Sequence, residues 1–243
     1  MTPRLTLATA SRVLTQLRHD HRTIALIIVL PCVVLGLIAW LFDGTPVLNQ
    51  FGPVYVGIFP VVVMFLVTSV ATLRERTSGT LERLMSLPLG KGDFVTGYAL
   101  AFGLLAIVQA LVLVAFTVWV CGMDVAGEPW VLVLCAVLSA ILGSALGLAA
   151  SALARTEFQA VQLMPATLFP QLIVCGLVMP RALMPEALEA ISRVFPLTYV
   201  VDALGGVARG LAFTDIASEV GLVALFIVAA VLGGSLTLRR RTP

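Results

Sequence analysis

Six stretches of this chain, 24–42, 53–73, 94–122, 129–154, 158–179 and 220–238, contain no Asp, Glu, Lys, Arg or His. Each is about the 20 residues that a helix needs to cross the hydrocarbon core of a bilayer. The remaining composition agrees: 60% of residues are hydrophobic, 12% are charged and the mean hydropathy is +1.07. A soluble domain is about half apolar and a quarter charged, so the solvent for most of this surface is lipid. The expected fold is an all-α polytopic membrane protein of six transmembrane helices, one membrane domain over residues 1–243. The first apolar run starts at Ile24 and lacks an A-x-A exit, so it is read as a span and not a cleaved leader.

Lys and Arg set the orientation. With the N-terminus inside, Arg4, Arg12, Arg18, Arg22, Arg74, Arg76, Arg83, Lys91, Arg155, Arg239, Arg240 and Arg241 are cytoplasmic. Only Arg181, Arg193 and Arg209 then lie outside. Both termini are therefore expected in the cytoplasm. There is no basic patch dense enough for nucleic acid.

Four segments fall between or beyond the spans. Residues 3–22 carry Leu7, Ala10, Leu14 and Leu17 at helical spacing among arginines, the pattern of an amphipathic helix on the inner membrane face; the other reading is a charged tail. Residues 74–93 form the longest inner loop. In it Ser78 or Thr80 can cap a short helix with Leu81, Leu84 and Met85 on one face, stopped by Pro88 and Gly90. Two turns are too short to stand alone, so this helix needs the membrane or a partner. Residues 180–214 hold two apolar stripes broken at Pro196, read as two short re-entrant helices dipping into the outer leaflet or as a cap in water. Arg239–Arg241 form a basic tail.

Catalytic constellations are absent. The Gly90-Lys91 pair is followed by Gly92, so no GxxxxGK[ST] phosphate loop exists, and HExxH is missing. His19 and His21 precede the first span, and Ser139, Ser144 and Ser151 have no intramembrane base to activate them. The four cysteines show no metal-ligand spacing. Charge-free spans also lack the Asp, Glu or His that ion-coupled transporters keep near the midplane. If the chain moves a solute uphill, the energy comes from another chain. Ser139, Gly143, Gly147 and Ser151 recur every four residues, a stripe that admits a close neighbour, either in the same protomer or across a dimer seam. Gln162, Pro165, Pro170 and Gln171 make the fifth span either a pliable pathway helix or a kinked packing helix.

The stretch 73–102, LRERTSGTLERLMSLPLGKGDFVTGYALAF, resembles the signature of type-2 ABC exporter permeases, the family that includes daunorubicin-resistance membrane subunits. Glu75, Gly79, Thr80, Leu81, Glu82, Leu84 and Pro88 stand at the places of its E-x-x-x-G-T-L-E-x-L-x-x-x-P pattern. FPLTYVVDALGGVARG, residues 195–210, is similar to the family's N-P-L-T-Y-x-x-D-x-L-R segment, with Phe195 for Asn and Gly205 for Arg. The resemblance implies a non-catalytic transport subunit of the bacterial inner membrane, working as two permeases with two separate ATPase subunits. It implies no cofactor on this chain, with ATP and Mg held by the ATPase. It places a coupling helix at about 80–87, with Glu82 and Arg83 as polar contacts, and a second contact at the 155–159 loop with Arg155 and Glu157. It makes residues 3–22 an interface helix and puts a pathway beside the first, second and fifth spans, where Gln162, Pro165 and Gln171 are candidates. A hydrophobic or amphipathic drug-like cargo is expected. The alternatives are lipid or polysaccharide export on the same scaffold, or a non-transporting membrane scaffold.

Overall fold

The computed structural model describes residues 3–77 and 91–237. Among them every regular element is a helix. In chain order these are α1 (Pro3–His19), α2 (His21–Leu41), α3 (Val47–Thr77), α4 (Lys91–Trp119), α5 (Pro129–Ser151), α6 (Glu157–Val174), a 3-10 turn (Arg181–Leu183), α7 (Glu186–Ser192), α8 (Pro196–Ala208) and α9 (Phe213–Thr237).

Five of these, α2, α3, α4, α5 and α9, are long and apolar enough to cross a membrane. They coincide with five of the six expected spans. The fifth expected span, 158–179, corresponds to α6, which has 18 residues, ends at Val174 and is not among the helices apolar enough to cross. Gln159, Gln162 and Gln171 dilute its hydropathy, and the chain leaves the helix at Gly176, which has a φ of 98° that favours glycine. At 1.5 Å per residue α6 is about 27 Å long, close to the roughly 30 Å hydrocarbon thickness. It packs along α3. In segment 180–214 the two expected short helices exist as α7 and α8, meeting at 92°.

The core is the pair α3 and α5. A Cβ placed on Gly143 or Gly147 would lie 2.4 Å from the carbonyl oxygen of Val61 or Phe65, so the backbones touch there. Ser139 of the same stripe faces Gly57 of α3. The small-residue stripe is thus filled from within the protomer. Its serines are spent on their own helix: Ser139 donates to the Cys135 carbonyl at 2.7 Å and Ser151 to that of Leu148 at 2.6 Å.

Around this core α2 and α4 run side by side, with Gly36 against Phe116. Pro31 lies inside α2 and has no N–H for the carbonyl of Ile27. Gln109 of α4, fully buried, donates its Nε2 to that oxygen at 2.9 Å. The bond lost to proline is therefore replaced from the neighbouring helix.

α1 packs on α4, with Thr9 lying against Gly97. Ala10 and Val13 are buried, while Leu14 and Leu17 pack partly on the core. Leu7, on the same stripe, is exposed. A single residue joins α1 to α2: Asp20, whose carboxylate accepts from the Thr23 amide at 3.2 Å and hydroxyl at 2.7 Å and so caps α2. Those bonds hold the Asp20 carboxyl below its ordinary value, the hydroxyl contributing most.

Both ends of the bundle are marked. Trp40, Trp119 and Trp130, the three tryptophans of the chain, are exposed at one end. Arg12, Arg18, Arg22, Arg74, Arg76 and Arg155 gather at the other. Aromatic side chains at a membrane boundary are a known anchor.

Candidate functional site

The basic end is organised by the last turn of α3. Successive helical residues point about 100° apart, so Arg74, Glu75 and Arg76 face three directions. Each meets a different part of the bundle. Arg74 grips Glu157, the first residue of α6, with Nε at 2.8 Å and Nη2 at 3.0 Å. This fork holds the Glu157 carboxyl below its ordinary value. Exposed as it is, the pair is worth about 0.2–1 kcal/mol. Glu75 accepts from Arg12 of α1 at 3.2 Å, and Arg12 in turn donates to the Tyr98 hydroxyl of α4 at 3.0 Å. This second cluster is largely shielded, with the Glu75 side chain 13% exposed, so breaking it costs more than breaking the first. Arg76 donates to the carbonyl of Ser151, the last residue of α5.

The start of α6 is fixed in its own right. Thr156 accepts from the Gln159 amide at 3.2 Å, and Gln159 Oε1 accepts from the Arg155 amide at 2.8 Å. That is a variant of the reciprocal capping box, written in the sequence as T-E-F-Q.

The expected site residues divide as follows. Glu75, Arg155 and Glu157 lie together at this end. Gly79, Thr80, Leu81, Glu82, Arg83, Leu84 and Pro88 lie outside the described residues; the described chain stops at Thr77, directly after the three-way junction. The three pathway candidates do not converge. Gln162 is exposed, in a shallow hollow with Arg155 and Gln159. Pro165 is half-buried inside α6. Gln171 is buried, donating to the Thr167 carbonyl at 2.9 Å and accepting from the Leu197 amide at 3.4 Å. Phe195, standing in place of the family's asparagine at the N-cap of α8, offers no side-chain bond, and Gln171 supplies one from α6 instead. Sequence reasoning missed Arg12 and Tyr98. The signal available was a glutamate at the end of an apolar helix, which needs a cation nearby.

A cleft of about 860 Å³ opens beside the junction, between α2 and α6 and above α3. Leu66, Val67, Val70 and Ala71 of α3 line it, with Leu26 of α2 and Val161 of α6. Asp20, Arg22, Arg74 and Glu157 stand at its charged end.

At the other end Arg181 pairs with Asp202 of α8 at 2.7 Å. The Tyr199 hydroxyl donates to the Arg193 carbonyl at 2.7 Å and that of Thr198 to the Ser192 carbonyl at 2.7 Å. The tyrosine, threonine and aspartate of the second motif thus tie α7 and α8 into one bent unit anchored to the segment after α6. Among the described residues no group of three His, Cys, Asp or Glu is placed to hold a metal ion.

The chain is similar to known membrane transport proteins. It is 30% identical over 138 residues to ABC transporter G family member 20 of Dictyostelium discoideum, covering 57% of this chain and 19% of that one. It is 26% identical over 150 residues to the probable multidrug ABC transporter permease YbhR of Escherichia coli, covering 62% and 41%. It is 25% identical over 169 residues to the linearmycin resistance permease protein LnrN of Bacillus subtilis, covering 69% and 43%. The matched stretch is less than half the length of each of these relatives. The model of the ABC-2 type transporter family matches residues 4–207. With that match spanning most of its length, the chain belongs to the ABC-2 type transporter family.

Proposed function

We propose that this chain is the permease subunit of an ATP-driven exporter, taking its energy from a separate ATPase that holds ATP and Mg. The observation that carries this reading is the junction at the end of α3. The motif residues 79–88 follow at once on a turn that is tied to α1, α4, α5 and α6. A coupling helix at 80–87 would therefore deliver a push to most of the bundle at once. Glu82 and Arg83 would contact the ATPase, and the loop of Arg155 and Glu157, bolted to α3, would give a second contact.

The working unit would be two permeases and two ATPases in the bacterial inner membrane, with both termini cytoplasmic. The basic end would face the cytoplasm, with α1 as the interface helix, and the bent pair α7–α8 would dip into the outer leaflet. A drug-like or antibiotic-like amphipathic cargo is favoured by the apolar spans and by relatives whose names speak of multidrug transport and linearmycin resistance.

The test is a pull-down with the ATPase from a neighbouring gene. Glu82→Lys and deletion of 81–85 should abolish co-purification and export while membrane insertion persists. Normal export by either variant would sink the coupling assignment.

A further inference from the structure

We propose that the small cavity enclosed by α3, α4, α5 and α9 is a binding site for one structural water molecule, held between the hydroxyls of Thr68 and Ser144. The site is independent of the export reading.

A threonine inside a helix ordinarily spends its hydroxyl on the carbonyl one turn back, as Thr117 does on Leu113 at 2.7 Å. Thr68 of α3 does not. Its side chain is 1% exposed, and its Oγ1 has no hydrogen-bond partner. A buried hydroxyl without a partner is costly. This one lines a cavity of about 20 Å³, together with Phe102 of α4, Ser144 and Leu148 of α5 and Val231 of α9. Thr68 and Ser144 are the polar side chains of that lining. Ser144 is also buried. It donates to the Ala140 carbonyl at 3.2 Å and keeps its lone pairs free to accept. A void lined by alkyl groups alone stays dry, whereas one with two or more polar partners and at least roughly 10–15 Å³ of room takes a water. Both conditions are met, and the volume suits one molecule. That water accepts from the Thr68 hydroxyl and donates to Ser144 Oγ. The orphaned donor is then satisfied, and α3 gains a polar link to α5 that the two side chains do not make directly.

Thr68→Val, which keeps the shape and removes the hydroxyl, separates a wet cavity from a dry one. In a dry cavity it deletes an orphaned polar group, and the melting temperature in detergent rises or stays level. In a wet one it takes away a partner of the water, and the melting temperature falls by about 2–4 °C. Ser144→Ala should act in the same direction. The double variant should fall little further than either single one, because both changes lose the same water. A Thr68 hydroxyl turned onto its own helix would give losses that add. Hydroxyl-radical footprinting with an X-ray pulse gives a second reading on the full chain, since a bound water releases radicals where it sits. Phe102 and Leu148, 0% and 4% exposed, are the reporters. Oxidation of Leu148 should fall at least threefold in Thr68→Val and persist in Thr68→Ser. Phe102 also borders the larger cleft, so its oxidation should fall less. A raised or unchanged melting temperature in Thr68→Val, additive losses in the pair, or equal Leu148 oxidation in Thr68→Val and the parent would each overturn the proposal.

Discussion

Single side chains in this protein repair the backbone of their neighbours. Gln109 is the clearest case, since its amide replaces the bond that Pro31 denies to Ile27. Gln109→Leu should lower stability by about 1–3 kcal/mol, the penalty for an orphaned buried carbonyl. In a Pro31→Ala background the residue at 31 has its own N–H, and the same change should cost far less. A double-mutant cycle on apparent melting temperature in detergent checks this; equal losses in both backgrounds would refute it. Asp20 gives a pH-dependent counterpart. Its folded pKa is lowered by the Thr23 bonds. Its contribution is therefore complete above the ordinary carboxylate value of about 3.9 and fades as pH falls through the lowered one. Asp20→Asn should be less stable than the parent at pH 7, with the gap closing below about pH 4 when melting is followed across that range.

At the scale of elements, α3 is the organising piece. Its 31 residues span about 46 Å, well beyond a bilayer's hydrocarbon core. Its contact with α5 depends on glycine. Gly143→Val or Gly147→Val would drive a side chain into the carbonyl of Val61 or Phe65, and overpacking of this kind costs about 1–3 kcal/mol. Gly103→Ala, where nothing lies within 4 Å, should be silent. Melting temperature and folded yield of the three variants decide it. The four-residue spacing of Ser139, Gly143, Gly147 and Ser151 made a close helix pair legible from sequence, but not which helix would fill it. Periodicity reports a face, and the partner of that face is chosen by tertiary packing. The same limit hid Arg12, 63 residues from Glu75 and 86 from Tyr98. The reach of α6 was overestimated because hydropathy continues through Cys175–Met179 while the helix stops before Gly176.

For the whole molecule, spans were legible because lipid forces backbone bonds inside each segment. Orientation was argued from Lys and Arg, while Trp40, Trp119 and Trp130 at the ends of their spans mark the boundary opposite the basic end. The two markers make one prediction. A cysteine placed at Thr15 should react with a membrane-impermeant thiol reagent only after the cells are opened, and one at Ala126 in intact cells, in a background lacking native cysteines. The reverse pattern would invert the topology.

The junction at the end of α3 has a mechanical consequence. A rod clasped at its tip from three sides is not free to spin about its own axis. Torque applied past Thr77 has to tear either the Arg12–Glu75 bond or the Arg74–Glu157 fork before the rod turns. Because α1, α4, α5 and α6 are all tied to this one turn, a displacement of the tip strains its bonds to all four helices at once.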